Sequence, residues 1–316
     1  MTPDWDFVVV GGGPAGMTAA QYASRSNLRT LVIEEMAPGG AVLLINEMEN
    51  YPGFPEPVNG YEFSEKLRQQ TENFGAVFKS AAATSITKNG DILTIDTTDG
   101  PISTWTAVIS TGAKHKHIGV PGEEEFSGRG VSYCATCDGP FFKGKKILVI
   151  GGGDAACDEA SYLAHLTDDL VMIHRRDRFR AQKALADRVL GNPSIDVRFN
   201  HTLERIEGSG KVTRVVFRRT DTNEIYEEDM DAVFIFIGSV PQTQIVPDLQ
   251  IDEGGYLMTD QNMETDVKGL YAVGDVRATP FRQVVVACGE GAVAAHVAAA
   301  HIDAVKGDIY AGIATS

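Results

Sequence analysis

Cys134 and Cys137 stand three positions apart in VSYCATCDG (131–139), with Asp138 directly after them. A CxxC pair can ligate a metal, staple a chain, or cycle between dithiol and disulfide. A structural zinc site takes four ligands, usually from two such pairs. The two other cysteines of the chain, Cys157 and Cys288, have no CxxC partner. Both read as small buried hydrophobes, and no metal site is expected. A redox role needs a thiolate, and a helix start lowers a thiol's pKa. Asp138 beside the pair either moves a thiol proton or caps a helix.

A dithiol that turns over needs a source of two electrons, and the chain carries two glycine turns that suit one. FVVVGGGPAGMTAAQYASRSNLRTLVIEE starts at Phe7, and ILVIGGGDAACDEASYLAHLTDDLVMIHRR starts at Ile147. Each reads as apolar strand, glycine turn, Ala-rich helix and second apolar strand. Gly11, Gly13 and Gly16 fill GxGxxG around Pro14 and Ala15; Gly151, Gly153 and Ala156 fill GxGxxA around Asp154 and Ala155. The first glycine allows a tight turn, the second a close approach to pyrophosphate, and the third small residue a close helix–strand contact. The helix start then offers free N–H groups and partial positive charge to phosphates. Two such units in strand–helix context predict two dinucleotide sites.

The second strands end differently. The first ends in Glu34-Glu35, carboxylates that accept ribose hydroxyls and repel a 2′-phosphate. The second ends in His174-Arg175-Arg176, with Arg178 and Arg180 following. Guanidinium groups there clamp a 2′-phosphate. Site one therefore suits the adenosine of FAD, and site two suits NADPH over NADH. Beside Arg175, His174 reads as part of the phosphate pocket.

The remaining sequence sets the frame. The chain has 316 residues, 43% hydrophobic and 22% charged, an ordinary globular balance. Its formal net charge of −15 argues against nucleic acid or an anionic membrane as main partner. No run reaches the roughly 18 consecutive apolar residues of a membrane helix. The start MTPDWDFVVVGGG has no basic region and runs straight into a strand, so no signal peptide and a cytoplasmic location are expected. A helix is predicted near 60–75, short β segments over 77–109, a linker over IGVPGEEEFSGRG (118–130), a buried strand in VFIFIGSVPQT (233–243), hairpin-like strands over 255–276 and a long Ala/Val-rich helix over 282–302. The apolar run before Thr111-Gly112 suits a strand ending beside a cofactor. The predicted fold is α/β, with two Rossmann-like dinucleotide-binding domains of the three-layer ββα type. The FAD domain is discontinuous, 1–117 and 247–316, and an NADPH domain over 118–246 carries the CxxC.

These features together resemble the low-molecular-weight, prokaryotic-type thioredoxin reductases among the two-dinucleotide-domain flavoproteins. GGGPAGMTAA, ENYPGFP, GVSYCATCDGPFF, GGGDAACDEA, HRRDRFRA and GDVRATPFRQ stand in that family's order over nearly the whole chain. The resemblance implies FAD contacts from Gly40, Asn50, Gly112 and Thr111, from Gly274 and Asp275 near the ribityl and pyrophosphate, and from Arg282 and Gln283 near the isoalloxazine. It implies Gly238 in the NADPH site. Cys137 would face the flavin, Cys134 would attack the protein disulfide, and Asp138 would act as the acid. It implies a homodimer and a thioredoxin partner, with linkers near 115–118 and 244–247. The family commonly has Asn then Ser or Thr where this chain has Asp154-Ala155, and a carboxylate pointing inward there would oppose the phosphates. A reductase fed by ferredoxin, or a dithiol oxidase, is the alternative on the same fold, and neither needs the arginines at 175–180.

Overall fold

The computed structural model describes residues 2–45, 48 and 50–307, with the side chains of Leu44, Thr136 and Cys137 outside the description. The chain divides into two compact units, 1–114 with 240–316, and 115–239. The first segment runs β1 (Trp5–Val10), α1 (Pro14–Arg25), β2 (Thr30–Glu34), α2 (Gly60–Asn73), β3 (Val77–Ser80), β4 (Ala83–Asn89), β5 (Ile92–Thr97) and β6 (Ile102–Ile109). After β7 (Ala113–His115) come β8 (Val131–Ser132), α3 (Ala135–Asp138), β9 (Ile147–Gly151), α4 (Asp154–Leu163), β10 (Leu170–His174), α5 (Lys183–Leu190) and β11 (Ile195–Phe199). Then follow β12 (His201–Gly208), β13 (Val212–Arg219), β14 (Ile225–Asp229), β15 (Ala232–Phe236) and β16 (Ser239–Pro241). The chain returns through β17 (Leu270–Ala272) and α6 (Val284–Lys306).

The first unit holds a seven-stranded sheet, β3-β2-β1-β6-β5-β4, with β17 along the end of β6. β1, β2, β3, β6 and β17 are parallel, and β4 and β5 join antiparallel. Successive strand residues point to opposite faces. Phe7, Val9 and Val32 thus pack with α1 and α6, while Val8, Val10, Leu31 and Ile33 pack on the other side with Val246, Leu249 and Leu257. A strand covered on both faces reads as an unbroken apolar run, which is how FVVV and LVI read. Helix α6 satisfies the length and apolarity of a membrane span, yet it buries Ala294, Ala295, Ala298 and Ile302 in this core. A Cβ on Gly291 of α6 would lie 2.2 Å from the Ala15 carbonyl, so α1 and α6 touch backbone to backbone. Helix α2 starts where the Asn59 side chain accepts the Tyr61 N–H at 2.9 Å.

The second unit holds an all-parallel five-stranded sheet, β11-β10-β9-β15-β8, and a three-stranded antiparallel sheet, β12-β13-β14. Ile147 and Val149 pack against α3 and α4, and Leu148 and Ile150 against β12 and β13. The result is three layers: helices, parallel sheet, antiparallel sheet. The two chain crossings between units run side by side as β7 and β16.

Three sequence expectations are corrected. The stretch 118–130 is folded structure of the second unit and not a linker. Phe126 is 3% exposed, and Glu123 is buried with its carboxylate accepting Ile118 N–H, Gly119 N–H and Tyr133 O–H at 2.9, 2.6 and 2.7 Å. Its Gly and Pro residues make tight turns: a Cβ on Gly122 would meet the Ile206 carbonyl at 2.1 Å. Residues 240–246, expected with the inserted domain, pack in the first unit, where the Ile245 carbonyl accepts Ile86 N–H at 3.1 Å. The hairpin-like strands expected over 255–276 reduce to β17 and isolated bridges.

Candidate active site

Each unit presents a glycine turn at the end of its first parallel strand. In the first unit Gly11 has φ +102°, and a Cβ there would lie 2.4 Å from the Ser110 carbonyl. A Cβ on Gly16 would meet the Gly11 carbonyl at 2.1 Å. Around Gly13, by contrast, nothing stands within 4 Å of such a Cβ. The turn is therefore crowded inward and open outward, which is the shape a pyrophosphate needs. Gly13 caps α1 in extended conformation, with Pro14 and Ala15 following. Glu34 Oε2 accepts Gly12 N–H at 2.6 Å and Oε1 accepts Met36 N–H at 2.9 Å. Glu34 thus fixes the turn, and each oxygen keeps a lone pair for a ribose hydroxyl. Glu35 is exposed. The Gly39-Gly40 segment closes over the turn, with Gly39 N–H on the Gly12 carbonyl at 2.8 Å and a Gly40 Cβ position 3.3 Å from Gly13 Cα.

Distant residues converge on this unit. Asn50 Nδ2 donates to Gln283 Oε1 at 2.8 Å. Thr111 Oγ1 donates to the Gln242 carbonyl and Gln242 Nε2 to the Thr111 carbonyl, both at 2.6 Å, just before Gly112 at φ +67°. Gly274 N–H donates to Glu290 Oε2 at 2.7 Å, and Arg277 pairs with Glu290 Oε1. Burial pushes the Asp275 carboxyl up, and the Arg282 guanidinium pulls the other way. Arg282 itself lies over the Tyr256 ring, 3.9 Å from its centroid.

In the second unit the sheet presents Gly151, Gly153 and Ala156 in the same turn. A Cβ on Gly151 would lie 2.4 Å from the Phe236 carbonyl, and the position at Gly153 is open. Where Glu34 braces the first turn, His174 braces the second: a Cβ on Gly152 would strike His174 Nδ1 at 2.3 Å. His174 is buried, and burial, then Arg180, Arg176 and Arg175, push its pKa down, favouring neutral imidazole. Ala155 is exposed at the head of α4. Gly238, at φ +106°, follows β15. Arg175, Arg176, Arg178 and Arg180 are all exposed, and among the described residues none pairs with a carboxylate. The unit's Arg188, Arg198, Arg205, Arg214, Arg218 and Arg219 all do. In a chain this acidic, four guanidiniums without a carboxylate partner concentrate positive charge on one loop.

The CxxC lies in the same unit. Cys134 is disulfide-bonded, while Cys157 and Cys288 are buried and free. The Cys137 side chain lies outside the described residues. Ser132 Oγ accepts Cys134 N–H at 3.1 Å and donates to the Cys134 carbonyl at 3.2 Å, fixing the head of α3. Asp138 ends α3 and leads into a 3-10 turn without any capping hydrogen bond from its side chain. The carboxylate is therefore not committed to a helix cap.

Glu159 was not singled out by sequence reading. Its carboxylate takes the Ala135 N–H at the first turn of α3, and burial followed by the charge of Asp158 pushes its pKa up to about 7. The signal was present: Glu159 sits three after Ala156 and four before Leu163, both on the buried side of α4. A carboxyl with a raised folded pKa costs stability once pH exceeds its unfolded value, and the cost grows until the folded pKa is passed. Between pH 5.5 and 8 the native chain is expected to lose about 2 kcal/mol that Glu159→Gln does not lose. Denaturant titrations at the two pH values check this, and parallel losses would refute it.

The chain belongs to the pyridine nucleotide-disulphide oxidoreductase family, which matches residues 5–291. Within it, the chain stands with the low-molecular-weight thioredoxin reductases. It is 52% identical to the thioredoxin reductase of Treponema pallidum over 306 residues, 97% of this chain and all of that protein. It is similar to the solved thioredoxin reductase of Lactococcus lactis in its FR conformation, with TM-score 0.91 and 41% identity over 95% of this chain and 99% of that one. The T. acidophilum thioredoxin reductase superposes with TM-score 0.88 at 33% identity, over 95% of this chain and 99% of that one.

Proposed function

We propose that this protein is an NADPH-dependent thioredoxin-disulfide reductase that works through FAD and a Cys134–Cys137 couple, as a cytoplasmic homodimer. The observation that carries the reading is one compact unit holding both a disulfide-bonded Cys134 and an unpaired arginine loop beside a glycine turn. The arginines favour NADPH over ferredoxin as donor and over oxygen-directed dithiol oxidation, because neither of those needs a 2′-phosphate site.

FAD fits the first unit's open turn at Gly13, with Glu34, Glu35, Gly40, Asn50, Thr111, Gly112, Gly274, Asp275, Arg282 and Gln283 as its contacts. When bound it supplies the two-electron link between a nicotinamide hydride and a disulfide. Asp275, whose carboxyl burial pushes up while Arg282 pulls it down, accepts a hydroxyl of the cofactor. In the second unit Gly151, Gly153, Asp154, Ala155 and Ala156 shape the pyrophosphate turn, Gly238 borders it, and His174, Arg175, Arg176 and Arg180 take the adenosine phosphate. Once reduced, the Cys134 thiolate attacks the disulfide of thioredoxin. One thioredoxin sulfur leaves, and a mixed disulfide forms. The Cys137 thiolate then attacks Cys134 Sγ, regenerating the couple and releasing dithiol thioredoxin. Asp138 supplies the proton to the leaving thiolate.

The test is an anaerobic titration of the purified yellow protein, following its flavin band. NADPH is expected to bleach the band in stoichiometric amount, and NADH far less. A band untouched by either nucleotide would leave ferredoxin or substrate dithiols as the donor and remove the NADPH reading.

A further inference from the structure

Asp154 opens α4, where free N–H groups and the positive helix end face the open side of the glycine turn. A carboxylate aimed at that space would repel phosphate. The structure turns it elsewhere. Asp154 Oδ1 accepts Gln182 N–H at 2.7 Å, and Asp154 Oδ2 accepts Gln182 Nε2 at 2.8 Å. Both oxygens are thus taken by one residue 28 positions further on, through charge-assisted hydrogen bonds.

Gln182 is the N-cap residue of α5 and ends the arginine loop. The loop is tied to the turn a second time by Arg180 N–H on the Gly152 carbonyl at 2.7 Å. At its start the Arg176 carbonyl accepts Asn200 N–H at 3.1 Å. The first unit has the matching Gly39-to-Gly12 tie, but with Pro14 in place of Asp154 its side-chain latch comes from the strand end, where Glu34 holds Gly12 N–H and Met36 N–H. The tie from the head of the helix thus falls on the loop that holds four mutually repelling cations. Such a loop gains most from being held, because ordering it at the moment of binding would subtract from affinity.

We propose that Asp154 is a positioning residue for 2′-phosphate discrimination: through Gln182 it latches the Arg175–Arg180 loop to the glycine turn, so that the guanidiniums stand preassembled for NADPH. The proposal rests on the NADPH reading above and adds the residue that holds its specificity loop. The inward-pointing carboxylate that would oppose the phosphates is not what the chain holds, because both Asp154 oxygens turn to Gln182.

Calorimetric titration of the oxidised, FAD-loaded protein with NADP+ and with NAD+ tests it. For Asp154→Ala the NADP+ Kd is expected to rise about tenfold and the NAD+ Kd no more than about twofold. Gln182→Ala removes one of the two hydrogen bonds and is expected to cost about threefold toward NADP+ alone. Asp154→Asn keeps an oxygen for Gln182 N–H and is expected to restore most of the loss. Gln182 is exposed, so its variant reads the latch even if Asp154→Ala does not fold. Equal rises for both nucleotides would reduce Asp154 to a support for the glycine turn and overturn the proposal. Tighter NADP+ binding by Asp154→Ala would show that the carboxylate repels the phosphates, and would overturn it too. A native protein that binds NADP+ and NAD+ alike would fail at the first titration, before any variant, and would take the NADPH reading down with it.

Discussion

Cys134→Ser and Cys137→Ser are each expected to lower thioredoxin reduction by about three orders of magnitude or more, while the protein stays yellow. A serine hydroxyl cannot form the mixed disulfide, so no slower version of the same path remains. The yellow colour survives because the residues assigned to FAD belong to the first unit, and the cysteines to the second. Bleaching by NADPH survives because neither cysteine is among the residues assigned to the nucleotide. The two variants then part company. Offered a single-cysteine thioredoxin activated as a mixed disulfide with an aromatic thiol, Cys137→Ser is expected to capture it through Cys134 and release the thiol. Cys134→Ser is expected to capture little. Capture by Cys134→Ser alone would exchange the two roles, and full turnover by either variant would place the redox centre elsewhere.

What the sequence made legible was local. A strand buried on both faces, a glycine turn and an Ala-rich helix each write themselves into contiguous residues, and the second copy confirmed the first. CxxC is local in the same sense. The charges at the two second-strand ends were legible because charge survives in any conformation. Pairings over long separations were not. Nothing near Asn50 announces Gln283, and nothing near Thr111 announces Gln242, because a hydrogen bond across the chain leaves no periodicity behind. The misreading of 118–130 has a related cause. Gly and Pro mark turns, but they do not say whether a turn hangs in solvent or folds against a sheet. Phe126 and the acid Glu123 decide that through burial, which composition does not show. Asp154 is the sharpest case. A carboxylate beside a phosphate turn looks adverse until its hydrogen-bond partner, Gln182, is seen.

Replacing Arg175 and Arg176 together by Ala is expected to raise the KM for NADPH about a hundredfold and that for NADH about threefold or less. The size follows from two charge-assisted contacts at roughly 1.5 kcal/mol each, the low end for hydrogen bonds to charged groups, which sum to about two decades. The low end applies because both side chains are exposed and screened by salt. The asymmetry follows from chemistry: only NADPH carries the 2′-phosphate, and the adenine, ribose and pyrophosphate contacts common to both nucleotides stay in place. Ionic strength provides a second readout. In the native protein the KM for NADPH should climb with added salt, because free guanidiniums attract the dianion through solvent. The double variant should show a flatter climb, and NADH should respond weakly in both. His174 adds a constraint on pH. Its burial and the neighbouring arginines hold the imidazole neutral, so the NADPH preference should persist through neutral pH without a histidine-linked step. Matched losses for the two nucleotides, with unchanged salt slopes, would mean that the arginines support the fold of the loop and do not read the phosphate.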